Sequence, residues 1–302
     1  MSCFQAHAKI NWTLDILGTR EDGYHLMDML MQSVDMHDTL WLEKADEITL
    51  ESVGDVQNSS GIADGLSSAA VTYDENNLVC RAAKLLKERC GYTGGARMRL
   101  QKRIPSGAGM GGGSADAAAA LKGLNELWEL CLSQETLLEY GLKLGADVPF
   151  MLTGGLARVG GIGEQIRPLS PAPEIWLVMM QPCGGLSTKE VFAAFDALDP
   201  AALSRPETII AQQALLLKDL HTLGSAMNNV LEGVSVQARP QLKDACEALE
   251  AAGAVRAMMT GSGSVVYGIF ASREAAEKAI AHLTPMASEN GWGSVWLTHT
   301  IA

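Results

Sequence analysis

A glycine-rich segment between a predicted strand and a predicted helix constrains this chain more than any other feature. Residues 105–114 read Pro-Ser-Gly-Ala-Gly-Met-Gly-Gly-Gly-Ser and hold five glycines within seven positions. Glycine reaches backbone conformations that other residues avoid, so the amide N–H groups of such a turn can converge on one point. The N-terminus of the following helix adds partial positive charge there. The segment therefore predicts a phosphate cradle, with a merely flexible turn as the alternative.

The segment differs from two other phosphate-binding signatures. It does not end in the Gly-Lys-Ser/Thr of a Walker A loop. It also lacks the position after a first strand that the dinucleotide-binding fingerprint of βαβ units requires. The cradle is therefore expected to belong to another class of phosphate-binding protein.

The charge balance argues against a nucleic-acid partner. The chain has 23 Lys and Arg against 35 Asp and Glu, a formal net charge of −12, whereas nucleic-acid-binding proteins usually carry a basic surface. Its 302 residues, 47% of them hydrophobic, are enough for two domains with packed cores and exclude a disordered chain. A phosphate ligand must therefore be held by local geometry, against the global charge.

Cysteine usage and the chain's apolar runs predict a cytoplasmic protein. The six cysteines are scattered singly, with no CxxC pair and no histidine cluster at zinc spacing, so we expect neither a disulfide framework nor a structural zinc site. Positions 1–12 show no secretory signal pattern, and no uncharged apolar run approaches 20 residues. We therefore expect no membrane association.

Two lysines stand out by their placement in predicted strands. Apolar residues alternate from Ala8 to Ile16, so Lys9 and Asn11 are neighbours on the other face, which is ordinarily a solvated face. Lys102 falls on the inward face of a predicted strand at 97–104, where a charge needs a partner.

The same patterns predict the remaining elements. Helices are expected at 78–89, 115–130, 134–144, from Ser187, at 209–217, 241–251 and 273–283, and further strands at 40–42, 48–50, 156–159, 165–169, 175–180, 256–259, 265–270 and 294–300. The stretch 54–77 is expected to be a long surface loop, and a domain boundary is expected near the glycine turn at 160–163.

Three blocks of sequence, in order, resemble the GHMP kinase superfamily. They are Ala8-Lys9-Ile10-Asn11, the run from Lys102 through the glycine loop to Ala120, and Met259-Thr-Gly-Ser-Gly-Ser264. The run Arg20-Glu-Asp-Gly-Tyr-His25, together with Gly145-Ala-Asp-Val-Pro-Phe150, is similar to one branch, the 4-diphosphocytidyl-2-C-methyl-D-erythritol kinases of the non-mevalonate isoprenoid route. The resemblance extends over nearly the whole chain.

This resemblance implies a fold, an activity and two ligands. The fold would be α+β with two domains, a ribosomal protein S5 domain 2-like N-terminal domain at 1–160 and a ferredoxin-like C-terminal domain at 161–302. The activity would be transfer of the ATP γ-phosphoryl group, with Mg²⁺, to an alcohol at the domain junction. For this branch the alcohol is the 2-hydroxyl of 4-(cytidine 5′-diphospho)-2-C-methyl-D-erythritol.

The resemblance also implies roles for particular residues. Lys9 and Asp147 would form the catalytic pair, and Asn11, Tyr24, His25 and, by a looser match, Phe192 would bind the substrate. The nucleotide would contact Lys102, Pro105, Ser106, Gly107, Ala108, Gly109, Met110, Gly111, Gly112, Gly113, Ser114 and Ala115. Asn77 and the turn Gly261, Ser262 and Gly263 are weaker candidates, and Ser114 is a candidate Mg²⁺ ligand only by analogy.

Several interpretations without these roles stay open, both for single residues and for the whole chain. Asp147 precedes Val148-Pro149, where an aspartate commonly caps a helix. Phe192 could belong to the core, and a lone His25 is more often structural than functional. The chain could be another small-molecule kinase, of the homoserine or mevalonate type, or a nucleotide-binding sensor without turnover. The sequence leaves the oligomeric state undetermined.

Overall fold

The computed structural model describes residues 1–54, 71–199 and 203–302, and in this part of the chain the strands form two sheets. The first comprises β1 (Ser2–Thr19), β2 (His25–Ala45), β3 (Ile48–Ser52), β4 (Gly95–Gln101), β5 (Leu156–Gly161) and β6 (Gln165–Leu169). The second comprises β7 (Trp176–Met180), β8 (Arg256–Met259), β9 (Val266–Phe270) and β10 (Val295–His299).

The two sheets differ in how their strands are ordered and paired. The first has the order β3-β4-β2-β5-β6, with β1 also pairing with β2, and only its β3–β4 pair is parallel. The second is antiparallel, with the order β10-β7-β9-β8. Together with the helices, the two sheets confirm the expected α+β class.

Ten helices are described, and they cover the two sheets. They are α1 (Leu78–Cys90), α2 (Gly112–Leu127), α3 (Gln134–Leu144), α4 (Val148–Thr153), α5 (Thr188–Asp196), α6 (Thr208–Leu217), α7 (Leu220–Ala226), α8 (Glu232–Ala238), α9 (Gln241–Ala251) and α10 (Arg273–Glu289). Helix α2 packs on β1, β2, α1 and α4. Its alanines at 117–120 are all buried, and their small side chains let α2 approach these neighbours closely.

The first two strands are longer than the sequence pattern predicts. From Ala8 to Leu14 every residue of β1 is buried, so the face with Lys9 and Asn11, expected to be solvated, is covered as well. Strand β2 extends from His25, although only 40–42 was predicted to be strand. Residues 29–34 of β2 are buried on both faces, and such a strand does not show the alternation that identifies a half-buried one.

The differences between the predicted and the observed helices have similarly simple causes. Helix α2 begins at Gly112 rather than 115, so the last glycines of the cradle are its first turn. The six-residue α4 and the seven-residue α7 and α8 were not predicted, because they are too short to show a helical period. Helix α10 continues through Pro285 to Glu289, whereas the sequence predicts an end near 283.

The change from one sheet to the other occurs after residue 169. Strand β6 pairs with β5 in the first sheet, and β7, at Trp176, begins the second. By sheet membership the first unit thus extends beyond the boundary expected at residue 160. The halves are joined by isolated bridges between Leu14 and Asn229 and between Val34 and Thr300. None of the helices in the described ranges is long and apolar enough to cross a membrane.

Candidate active site

A cavity of about 640 Å³ lies where β1, the glycine-rich loop and the second half of the chain meet. This volume is within the usual range for small-molecule sites. Sixteen of the predicted site residues line it: Lys9, Asn11, Tyr24, His25, Lys102, Pro105, Ser106, Gly107, Ala108, Gly109, Gly111, Gly112, Gly113, Ser114, Asp147 and Phe192. Asn77 and the turn Gly261, Ser262 and Gly263 line it as well. The fold therefore brings the three blocks of sequence to one place.

The cradle needs glycine for two physical reasons. Gly107, Gly109 and Gly111 have φ values of +64°, +74° and +71°, a conformation that other residues rarely adopt. A Cβ on Gly109 would also lie 2.1 Å from the carbonyl oxygen of Thr260. The loop can therefore pass against the second half of the chain only because these side chains are absent.

The cradle leads into the N-terminus of α2, where backbone donors are concentrated. Gly111 occupies the cap position in a left-handed conformation and gives no side-chain capping bond among the described residues. The amides of Gly112, Gly113 and Ser114 are the first of the helix, and such amides have no intrahelical acceptor. Donors at a helix start, strengthened by the helix dipole, can bind anionic oxygens.

Two residues predicted to contact the nucleotide do not line the cavity. Met110 and Ala115 are 1% and 2% exposed and belong to the core. The Ala115 amide donates to the Gly111 carbonyl within the helix, and the Met110 carbonyl accepts the Lys9 amide at 3.1 Å. Met110 lies in the loop and Ala115 in the first turn of α2, and both side chains pack in the core. Met110 thus attaches the loop to β1 rather than facing a ligand.

Lys9 is held in the cavity wall by two acceptors. Its Nζ donates to Asn11 Oδ1 at 2.6 Å and to the Gly109 carbonyl at 2.7 Å. The side chains of positions 9 and 11 are therefore neighbours, as the strand spacing predicts. Burial lowers the pKa of Lys9 below its ordinary value, and the charge of nearby Asp147 opposes that shift.

Asp147 stands at the cap position of α4 but does not act as a cap. Its side chain makes no capping hydrogen bond with any described residue. A Cβ on Gly111 would lie 3.5 Å from Asp147 Oδ2 and 3.6 Å from Lys9 Cε, so both side chains converge across this glycine. The carboxylate is thus directed into the cavity, beside a buried ammonium group.

Lys102 has two carboxylate partners that sequence reasoning missed. Its Nζ is bonded to Asp38 of β2 and, at 2.6 Å, to Asp116 of α2. Asp38 Oδ1 also accepts the amides of Arg103 and Ile104. The pKa of Lys102 is raised, because the attraction of the two carboxylates outweighs the effect of its burial. The inward lysine of the sequence pattern therefore ties β4 to β2 and α2.

Aromatic side chains gather at the other end of the cavity. The rings of His25 and Phe192 lie 4.7 Å apart between centroids, and His25 Nε2 lies 2.7 Å from Asp196 Oδ1. Tyr24 is 59% exposed and lines the same wall. Phe192 is half-buried, packs against the hydrophobic core and also lines the cavity, so its place fits both the core interpretation and a substrate contact. These rings form a surface on which a flat ring could stack.

The glycine turn of the second half closes the site from the other side. Asn229 donates to the carbonyls of Met259 and Gly261 at 3.0 and 2.8 Å. Thr260 Oγ1 accepts a hydrogen bond from the backbone amide of Asn11 at 3.1 Å. The turn is thereby fixed to β1, next to Lys9.

Sequence reasoning could have found only part of this support. Asp116 follows the cradle directly, and an inward lysine requires a counter-charge, which is a usable signal. Nothing local marked Asp38, which the β2–β4 pairing brings beside Lys102, whereas Thr260 lies within the third block that resembles the superfamily. Of the predicted loop at 54–77, positions 55–70 lie outside the described residues, while Val71 and Asn77 line the cavity. Asn77 also caps α1 by accepting the Val79 amide.

Known proteins resemble both halves of the chain. Residues 77–155 match the model of the GHMP kinases N-terminal domain, and residues 211–285 match the GHMP kinases C-terminal model. A 4-diphosphocytidyl-2-C-methyl-D-erythritol kinase of Symbiobacterium thermophilum is 40% identical, over 98% of this chain and 99% of its own. One from Alkaliphilus metalliredigens is 38% identical, over 93% and 91%.

Solved structures agree with these relatives. A crystal structure of a 4-(cytidine 5′-diphospho)-2C-methyl-D-erythritol kinase superposes with a TM-score of 0.80 at 30% identity, with full coverage of both chains. A homoserine kinase from Cytophaga hutchinsonii has a TM-score of 0.72 at 20% identity, over 99% of this chain and 95% of its own, and shares the fold. On this evidence the chain belongs to the 4-diphosphocytidyl-2-C-methyl-D-erythritol kinase family of the GHMP kinases.

Proposed function

We propose that the chain transfers the γ-phosphoryl group of ATP to the 2-hydroxyl of 4-(cytidine 5′-diphospho)-2-C-methyl-D-erythritol, a step of the non-mevalonate isoprenoid route. One observation carries the proposal: a single cavity holds a backbone phosphate cradle, the Lys9–Asp147 pair and an aromatic wall. Each part serves a different portion of the two substrates. Family membership supports the same reaction.

The nucleotide phosphates fit the cradle. The amides at the start of α2 and in the loop donate to phosphate oxygens, and the missing Cβ atoms let the phosphates approach the backbone. The cavity also offers oxygen donors of the kind that Mg²⁺ prefers, the Ser114 hydroxyl and the Asp147 carboxylate. When bound with ATP, Mg²⁺ supplies charge neutralisation on the phosphates.

Phosphoryl transfer then requires activation of the acceptor alcohol. Asp147 accepts the proton of the 2-hydroxyl while the oxygen of that hydroxyl forms a bond to the γ-phosphorus. The bond from that phosphorus to the β–γ bridging oxygen breaks, and ADP leaves with the electron pair. The Lys9 ammonium, held by Asn11 and Gly109 near the Asp147 carboxylate, orients the hydroxyl.

The aromatic wall favours a cytidine substrate over a small aliphatic acceptor. Tyr24 and Phe192 line the cavity with aromatic rings, and His25 adds polar ring nitrogens for the edge of a base. An acceptor such as homoserine or mevalonate has no flat ring to use them. The expected absence of a nucleic-acid partner and the cytoplasmic location stay predictions.

The test is a panel of acceptors given to the purified chain with Mg-ATP. ADP release is measured with the cytidylyl substrate, galactose, homoserine and mevalonate. We expect release with the cytidylyl substrate alone. Release with only another acceptor would replace the proposed specificity, and ATP binding without release from any acceptor would favour the nucleotide-binding sensor.

A further inference from the structure

Three potential metal ligands from distant parts of the sequence lie together outside the active-site cavity. His7 of β1 and Asp35 and His37 of β2 present ligand atoms that are all within 4.8 Å of one another. Within the described residues this is the one group of three or more His, Cys, Asp or Glu side chains so arranged. None of the three lines the cavity described above.

A bulge in β2 creates the cluster. His7 pairs directly with His37, but the next pair is Lys9 with Ser33, so β2 advances four residues while β1 advances two. The extra residues bend β2 and bring Asp35 beside the two rings. The ring centroids of His7 and His37 are 5.0 Å apart. The three side chains are thus held by the sheet itself rather than by a loop.

Backbone contacts orient both imidazole rings as metal ligands. Nδ1 of His7 lies 3.1 Å from the Val34 carbonyl, and Nδ1 of His37 lies 2.7 Å from the Asp35 carbonyl. A carbonyl oxygen only accepts, so each Nδ1 carries the proton and each neutral ring keeps its lone pair on Nε2. A ring N–H bonded to a backbone carbonyl is the usual outer contact of metal-binding histidines.

We propose that His7, His37 and Asp35 form a binding site for Zn²⁺. Two imidazole nitrogens and one carboxylate oxygen suit this ion, and a water molecule can complete a tetrahedron. Asp35 is exposed, so rotation of its side chain can bring its carboxylate to the roughly 3.4 Å from each histidine nitrogen that zinc bond lengths imply. Gln5, also exposed, lies 3.2 Å from His37 Nε2 and must turn away, or offer its Oε1 instead.

The site would join β1 to the part of β2 that contacts Thr300 and Ile301. Within the bulge, Val34 bridges to Thr300, and the Ile301 amide donates to the Ser33 carbonyl at 2.9 Å. A bound ion would fix the bulge on which these contacts with the second half depend. Binding to the folded chain alone raises its stability.

The test measures Zn²⁺ affinity by competition with a chromogenic chelator, and Tm with and without the ion. All proteins carry Cys3→Ser and Cys131→Ser, which remove the two exposed thiols. We expect one Zn²⁺ per chain and a higher Tm with Zn²⁺. Loss of an outer contact already weakens such sites about 10–100-fold. His37→Ala and Asp35→Ala, which remove ligands, should therefore weaken binding at least tenfold and abolish the Tm shift.

His282→Ala is the matched control, because this histidine is exposed on α10, away from the cluster. Circular dichroism in EDTA shows whether each variant is folded before affinity is compared. Retained binding in the control together with loss in both cluster variants supports the site. The proposal fails if the parent chain binds no stoichiometric Zn²⁺, if His37→Ala binds as tightly as the parent, or if the control loses binding equally.

Discussion

At the scale of single residues, Lys9 shows how burial and partners determine what a side chain can do. Lys9 is 3% exposed, and its ammonium group donates two of its three hydrogens, one to Asn11 and one to Gly109. The remaining donor is available to Asp147 or to a ligand. A lysine on a solvated strand face would lack this orientation, so its role depends on the covering of that face.

The proposed role of Asp147 predicts a loss of turnover in Asp147→Asn. The amide cannot accept the hydroxyl proton, so kcat should fall about 10²–10⁴-fold, the usual contribution of general base catalysis. Steady-state kinetics with the cytidylyl substrate measure this. Asp244→Asn, an exposed position on α9, is the control and should leave kcat unchanged. An unchanged kcat in Asp147→Asn would remove this residue from the mechanism.

The lowered pKa of Lys9 predicts an early loss of activity at alkaline pH. Burial favours the neutral amine, so the ammonium is lost below the ordinary lysine value of about 10.4. A profile of kcat/KM against pH should fall there. In Lys9→Arg the charge does not titrate in this range, so the residual activity should lack that fall. The same fall in Lys9→Arg would assign it to another group.

Stability should respond to the same titration with the opposite sign. Between the lowered pKa of folded Lys9 and about 10.4, the unfolded chain binds more protons than the folded one. The contribution of Lys9 to the free energy of unfolding therefore rises with pH in that window. Urea unfolding at several pH values, compared with Lys9→Arg, measures this contribution.

At the scale of elements, two glycine turns meet and make the site possible. The loop before α2 and the turn between β8 and β9 cross so closely that a Cβ on Gly261 would lie 2.6 Å from the Gly109 carbonyl. The Val265 amide donates to the Ala108 carbonyl at 3.2 Å across the same crossing. The cradle is therefore built jointly by both halves of the chain.

Three alanine substitutions separate the two reasons for glycine in the cradle. Gly91→Ala meets no atom within 4 Å but has φ +65°, so it should cost about 1–2 kcal/mol for its left-handed conformation alone. Gly109→Ala adds the clash with Thr260 and should cost more. Gly233→Ala, inside α8 with open space, should stabilise the chain by about 0.5–1 kcal/mol.

Urea unfolding of the three variants gives the free energies to compare. Gly109→Ala should also weaken ATP binding, because the loop must move away from the second half. Equal costs at positions 91 and 109 would show that the close approach to Thr260 is not restrictive.

At the scale of the whole molecule, buried contacts hold the halves together around the cavity. Tyr267 of β9 is fully buried, donates its hydroxyl to the Asn11 carbonyl at 2.7 Å, and packs edge-on against Trp12. Gln32 of β2 donates to the Pro173 carbonyl at 2.9 Å. The second half thereby positions the strand that carries Lys9 and Asn11.

Tyr267→Phe tests this coupling. The variant keeps the ring but leaves the Asn11 carbonyl without that donor, so the free energy of unfolding should fall by about 1–3 kcal/mol. We also expect a higher KM for the acceptor, because Asn11 loses a support. Tyr140→Phe, a half-buried position on α3, is the control and should change neither quantity. Equal effects in both variants would contradict a specific role of the Tyr267 bond.

Features that depend on near neighbours were predictable from the sequence. The starts of α3 and α5 were predicted at 134 and from Ser187, and Ser133 and Ser187 cap these helices through contacts with the next three residues. The cradle was recognisable for the same reason, since its glycines by themselves allow the left-handed backbone conformations that it adopts. The boundary of α2 was missed by three residues, because a glycine at a helix start looks like loop in sequence.

Features that depend on distant pairing were not predictable. Lys102 and Asp38 are 64 positions apart, and only the β2–β4 pairing brings them together. The bulge that places Asp35 beside His7 leaves no local pattern in the sequence either. The spacing of the histidines along the chain therefore does not predict a zinc site there. The length of β2 was hidden because burial of both faces removes alternation.

By itself the sequence determined a glycine-rich turn before a helix, a lysine and an asparagine on one strand face and two domains, because residue type and spacing set local backbone geometry. Only the tertiary structure decided that this face is buried, that Asp147 faces Lys9 instead of capping α4, and that Lys102 is neutralised by two carboxylates. The reason is physical. Burial, pairing and electrostatic environment arise when distant segments pack, and a linear pattern does not specify which segments meet.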